Sequence, residues 1–168
     1  MEENSKKINI RFAVIDDIHT ILHLIKELSV YEKLSHQFNN NEEFLKKYLF
    51  GEKKFAEVLI ADYDNKPVGF ALYFYNYSTF VGKPGIYLED LFVQPEMRGK
   101  GIGKKLFLEL IKLAKARNCG RVEWSVLNWN TPAIDFYKSM GAVPMDEWTV
   151  YRLNEDKIEE LIDLDRNQ

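Results

Sequence analysis

A single cysteine, Cys119, leaves no partner for an internal disulfide, so the chain is not a disulfide-stapled scaffold. No run of 18 apolar residues occurs, which removes the transmembrane-helix reading. The first residues, Met1-Glu2-Glu3-Asn4-Ser5-Lys6-Lys7, lack the apolar core of a signal peptide. Charge of one sign is also missing: 23 Lys and Arg against 26 Asp and Glu give −3, and the pI is near 5.7. That balance argues against a general nucleic-acid binder and makes any basic cluster a local feature. The expectation is a cytoplasmic protein with neither membrane nor nucleic acid as partner. No internal repeat, low-complexity tract or linker interrupts the 168 residues, which read as one domain, 1–168.

What is present is enough for a core: 46% hydrophobic and 14% aromatic residues. Periodicity predicts a strand at 8–12 and a helix capped by Asp16 or Asp17, with Ile18, Ile21, Leu22, Ile25 and Leu28 on one face. A second helix is expected over 42–50, stopped by Gly51. Strands follow at 55–61, 68–75 and 87–93, the first two joined by the turn Asp64-Asn65-Lys66-Pro67. A long helix (102–117), a strand (121–127) and a short helix entered through Pro132 come next. A last strand (148–153) and a terminal helix (156–164) complete the order β-α-α-β-β-β-α-β-α-β. The class is α/β: a mixed, mostly antiparallel twisted sheet with helices on both faces.

The run Arg98-Gly99-Lys100-Gly101-Ile102-Gly103-Lys104-Lys105 places cations where the long helix begins. A helix N-terminus carries roughly half a positive charge and several unpaired N–H groups, so lysines there each cost about 0.3–1 kcal/mol unless an anion neutralises them. Gly99, Gly101 and Gly103 let the backbone approach such an anion closely. The run is either a solvated basic loop or a pyrophosphate cradle. A P-loop would need a hydroxyl after Lys104, where Lys105 stands, and G-x-G-x-G is not the dinucleotide fingerprint G-x-G-x-x-G.

Strand, Gln94-Pro95-Glu96-Met97, glycine run and helix together resemble the acetyl-CoA-binding motif of the GNAT N-acetyltransferases. That family's pattern [RQ]-x-x-G-x-[GA] is met by Arg98, Gly101 and Gly103, and its element order matches this one along essentially the whole chain. Within the family, the chain resembles the spermidine/spermine (diamine) acetyltransferases and their thialysine-acetylating relatives. The residues that carry this are Leu24-Ile25-Lys26-Glu27-Leu28 with Tyr31-Glu32, Tyr87-Leu88-Glu89-Asp90, Trp129-Asn130, and Phe136-Tyr137-Lys138 with Gly141-Ala142. Tyr77-Ser78-Thr79-Phe80 and Val126-Leu127-Asn128-Trp129-Asn130 look more like the thialysine branch; Ser78 stands near an aspartate that helps hold polyamine in the spermidine/spermine enzymes.

The resemblance implies an acetyl-CoA-dependent acetyltransferase acting on a primary amine of a small cationic substrate, working as a homodimer without a metal. Tyr137 falls where these enzymes place the general acid, and a phenol with pKa of about 10 suits a departing thiolate. Glu89 either holds a substrate cation or relays a proton through water; strand alternation would put Tyr87, Glu89, Leu91 and Val93 on one face. Tyr31 and Glu32 resemble the amine-binding pair, and Glu123, Trp124 and Ser125 are further substrate-side candidates. Backbone of Leu91, Phe92 and Val93 should pair with the pantetheine arm like an added strand. Arg98, Gly99, Lys100, Gly101, Ile102, Gly103 and Lys104 would hold the pyrophosphate, and Asn130, Thr131, Pro132 and Ala133 would touch the same arm.

Other signals point elsewhere and are weaker. His19 and His23 are spaced i, i+4 but lie opposite the apolar face with no third ligand. No G-x-S-x-G elbow exists, and Cys119 follows the long helix at the edge away from the thioester. Trp124, Trp129 and Trp148 read as core or pocket wall. Besides a small-amine acetyltransferase, two alternatives stay open: an acetyltransferase of protein N-termini or lysine side chains, and a CoA-binding module without catalysis.

Overall fold

The computed structural model describes residues 7–166, in two compact units that divide after residue 127. The first unit is a five-stranded sheet of order β1-β2-β3-β4-β5: β1 (Ile8–Phe12), β2 (Glu57–Tyr63), β3 (Lys66–Ser78), β4 (Lys83–Val93) and β5 (Val122–Trp124). The first four strands pair antiparallel, and β4 pairs parallel with β5. A parallel pair needs a crossover, which α3 (Ile102–Ala116) provides. Helices α1 (Ile18–Tyr31) and α2 (Glu42–Leu49) fill the connection between β1 and β2. No described helix is long and apolar enough to cross a membrane.

The apolar periodicity of α1 buries Ile21, Leu24 and Leu28 against Leu45 and Leu49 of α2 and Val58, Ile60, Phe70 and Phe92 of the sheet. The other sheet face packs on α3 through Ile102, Leu106, Leu110 and Ala114, the stripe that the sequence spacing predicts. Gly69 has a specific reason: a Cβ there would lie 2.6 Å from the Phe92 carbonyl oxygen, so only glycine lets β3 lie this close to the end of β4.

Asp17 stands at the head of α1 but its side chain does not cap the helix. It accepts instead from the Val14 amide (2.8 Å) and from both terminal nitrogens of Arg11 (2.7 and 2.9 Å). Arg11 Nε meanwhile donates to Asp62 Oδ2 at 2.8 Å. One guanidinium thus ties β1, β2 and the start of α1, and that anchoring aims the far end of α1, where Tyr31 and Glu32 stand. Arg11→Met would keep the stem and leave two buried carboxylates without their cation. A loss of about 2–4 kcal/mol is expected, read as a lower urea midpoint at unchanged m-value. The sign with pH follows from Asp17, whose carboxyl Arg11 holds below its ordinary range. Its stabilisation is present above the ordinary carboxylate pKa and is lost as pH falls through the lowered Asp17 value, so wild type and variant should begin to converge below about pH 4 and meet only in stronger acid.

The second unit carries α4 (Thr131–Ser139) and α5 (Glu155–Arg166). Asn130 accepts the Ala133 amide at the head of α4, Pro132 occupies its first turn, and Gly141 (φ +86°) follows its end. The expected last strand does not form: residues 148–153 have no strand pairing. Their alternation of Trp148, Val150 and Leu153 with polar residues is strand-like, but a strand takes its hydrogen bonds from a neighbour and this stretch has none among the described residues. Trp148, Val150 and Tyr151 are exposed as a result. The strand expected over 121–127 is also shorter, because the ladder with β4 ends at Leu88↔Trp124.

Candidate active site

The site grows from the end of β4. Leu72 of β3 faces Asp90 while Tyr73 faces Leu88, so Glu89 is an extra residue: a β-bulge. The bulge corrects the expectation that Tyr87, Glu89, Leu91 and Val93 share a face. Tyr87 opposes Phe74 and Asp90 opposes Leu72, two residues apart on β3, so Tyr87 and Asp90 lie on the same side. That is the side of Phe92 and Phe70, covered by α1, whereas Leu91 and Val93 face the other way. Glu89 is exposed beside Asp90.

This geometry gathers three carboxyls. Burial, then the charges of Glu89 and Glu32, push the Asp90 carboxyl up to about 7. Burial also raises that of Glu32, at the end of α1. Sequence alternation alone does not single out Asp90 as a site residue. Its signal was two consecutive acids inside an otherwise apolar strand, a pattern that alternation cannot accommodate without a bulge.

Past β4, Pro95–Met97 form a short 3-10 turn and the glycine run opens α3. Gly99 (φ +76°) and Gly101 (φ +80°) both use the left-handed region. A Cβ on either would meet nothing within 4 Å, so no protein atom is what demands a glycine there beyond the backbone angle. Gly101 is the N-cap and offers no side chain, and the first helical bond runs from the Lys105 amide to the Gly101 carbonyl. The amides of Ile102, Gly103 and Lys104 therefore have no partner within α3, as an anion cradle requires. Lys104 and Lys105 are exposed beside it, while the Lys100 ammonium donates to the Glu96 carbonyl at 2.9 Å. The Arg98 side chain does not turn into the cradle. Its Nε donates to the Val93 carbonyl at 3.0 Å, and its guanidinium lies 4.1 Å from the centre of the Tyr31 ring.

The β5 candidates divide. Glu123 accepts from Asn76 Nδ2 (2.9 Å) and pairs with Arg121 (2.8 Å), so its charge is already matched inside the sheet. Trp124 meets Phe107 of α3 edge-on at 5.4 Å. Ser125 Oγ lies 2.8 Å from the Tyr87 hydroxyl, on the face that carries Asp90. In the second unit Tyr137 packs against Phe136 at 5.3 Å within α4. His19 and His23 sit at the surface beside Glu42 (3.0 Å) and Glu27 (3.6 Å). Cys119 lies past the C-terminus of α3, about 22 Å of helix from the cradle.

A glycine turn thus opens the crossover helix next to a bulged strand that bears acids. The model of the acetyltransferase (GNAT) family matches residues 21–142, and the chain belongs to that family. Among its relatives, thialysine N-epsilon-acetyltransferase of Bos taurus is 40% identical over 163 residues, covering 90% of this chain and 95% of that protein. An L-ornithine N5-acetyltransferase of Arabidopsis thaliana is 31% identical, covering 89% and 86%. Among solved structures, an integron cassette protein from the mobile metagenome of V. cholerae superposes with a TM-score of 0.78 at 29% identity, covering 92% and 97%. The chain is an N-acetyltransferase of GNAT type.

Proposed function

We propose that this chain moves the acetyl group of acetyl-CoA to a primary amine of a small substrate bearing two cations, such as a thialysine-like amino acid, a diamine or a polyamine. The observation that carries this reading is the convergence of Glu32, Glu89 and Asp90 at the bulge of β4. Three acids, with Asp90 pushed up by burial and by the charges of Glu89 and Glu32, suit a ligand that brings two positive charges. Acetyl-CoA, as co-substrate, supplies a thioester whose pyrophosphate suits the free amides of α3.

The chemistry asks four things of the chain. The amine must lose a proton, which Glu89 takes directly or through water. The amine nitrogen then adds to the thioester carbonyl carbon, with a backbone amide of 91–93 donating to the oxyanion. The C–S bond breaks as the added nitrogen gives up its second proton, and the departing thiolate takes the phenolic proton of Tyr137, which the proton released from nitrogen restores through water. No acyl-enzyme is needed, so both substrates bind before transfer. The exposed apolar residues of the 148–164 stretch support a homodimer.

The deciding experiment is an initial-rate assay of CoA release over a panel of thialysine, ornithine, diamines, spermidine and an N-terminal peptide. Intersecting double-reciprocal lines and preference for a dicationic small amine are expected. Parallel lines with acetyl trapped on Cys119, or preference for the peptide, would overturn the reading.

Asp90 gives this proposal a pH signature. Below about pH 7 its carboxyl is neutral, and above that it adds a third negative charge. The amine KM should fall by roughly tenfold between pH 6 and 8, while the amine, with a pKa near 10, stays cationic. In Asp90→Asn that slope should flatten, with KM resting at the low-pH value. The stability sign is opposite to that of Asp17. A raised carboxyl contributes stability below its ordinary value of 3.8 and loses it as pH rises through about 7.

A further inference from the structure

The geometry points to Arg98 as a positioning residue that couples cofactor binding to amine binding through Tyr31, rather than as a direct ligand of the pyrophosphate. This rests on the acetyl-CoA and amine sites proposed above, but it concerns a side chain to which the motif alone gives no such role.

Three elements meet at this one guanidinium. Arg98 follows the turn Pro95–Met97, which its own amide closes onto the Pro95 carbonyl, and it adjoins Gly99 of the cradle. Its Nε holds the Val93 carbonyl at the end of β4 at 3.0 Å. The planar cation then lies over Tyr31 at 4.1 Å, the last residue of α1, and reaches Phe92 at 5.7 Å. Tyr31 precedes Glu32, whose charge acts on Asp90. The Arg98 Nε is held by the Val93 carbonyl and the guanidinium face by the Tyr31 ring. Lys104 and Lys105 stand exposed at the head of α3, and neither forms an ion pair among the described residues, so charge for the phosphates is present without Arg98.

The consequence is a mechanical link with a defined direction. Binding of an anion fixes the glycine run, which fixes the backbone of Arg98 and with it the face on which the Tyr31 ring rests. Tyr31 and Glu32 then meet the amine already oriented. By reciprocity the amine must tighten the cofactor by the same factor. Lysine cannot replace this arginine, because a compact, strongly hydrated ammonium lacks both the plane that stacks on a ring and a nitrogen held at the Nε position.

The test is calorimetric titration of CoA, without and with saturating thialysine, into wild type, Arg98→Lys, Tyr31→Leu and the double variant. Wild type should bind CoA several-fold more tightly when thialysine is present. Arg98→Lys should bind CoA alone within about threefold of wild type, lose that tightening, and raise the thialysine KM by about five- to tenfold with kcat little changed. The double variant should be no worse than Tyr31→Leu, since both remove one contact. A tenfold loss of CoA affinity in Arg98→Lys with the thialysine KM unchanged would make Arg98 a phosphate ligand and overturn the inference. Additive effects in the double variant would overturn it as well. Should wild type acetylate no amine at all, the proposed function fails while Arg98 is still tested. CoA must then shift the Tyr31 ring resonances in wild type and leave them still in Arg98→Lys, and equal shifts in both would refute the coupling.

Discussion

Tyr137→Phe is expected to lower kcat by roughly 10²-fold or more, the scale of a positioned general acid, with acetyl-CoA affinity little changed. The substitution keeps the ring that packs on Phe136 and removes only the hydroxyl, and an unchanged thermal midpoint would assign the loss to chemistry. The pH profile sharpens the test. A primary amine with a pKa near 10 is mostly protonated at neutral pH, so the wild-type rate should climb with pH. It should fall again once Tyr137 ionises and no longer protects the departing thiolate. In the variant the alkaline limb should weaken or vanish. A phenylalanine enzyme with near wild-type kcat would mean that water protonates the thiolate and that Tyr137 only packs.

Gly101→Asp should weaken acetyl-CoA binding by about 10²-fold or more, measured by calorimetry, while the fold survives. Two effects combine, strain that favours departure of the loop from the binding conformation and a charge that opposes the ligand. An L side chain at φ +80° is strained by about 1–2 kcal/mol. The carboxylate also places a negative charge where the α3 amides should meet the pyrophosphate, and it can cap those amides itself. Because a Cβ at 101 touches no protein atom within 4 Å, packing loss is not part of the effect. Gly101→Ala separates the two, retaining the strain without the charge, and should lose much less. Unchanged affinity in the aspartate variant would remove the cradle from this loop.

The features legible in the sequence are those that local chemistry specifies. Glycines at 99, 101 and 103 before an apolar stripe at 102, 106, 110 and 114 need no tertiary information to place a glycine turn at the head of α3. Asn130 and Pro132 likewise announce α4 by capping chemistry alone. The misreadings share a different cause. Alternation assigns β4 residues to faces by counting, and an added residue at 89 reverses every assignment beyond it. Asp17 looks like a helix cap until Arg11, six residues earlier and on another element, takes its carboxylate. Residues 148–153 carry a strand pattern, but a pattern does not supply the neighbour that makes a strand.

The bulge at Glu89 also separates what this sheet needs to fold from what its site needs to work. Leu88 already opposes Tyr73 and Asp90 already opposes Leu72, consecutive positions on β3. A chain shorter by that one residue would therefore keep every other pairing of the ladder in place. The protruding acid is an insertion that the architecture carries without depending on it. Within such a lineage, gain or loss of a single codon could alter the charge presented to an amine while leaving the scaffold as it was.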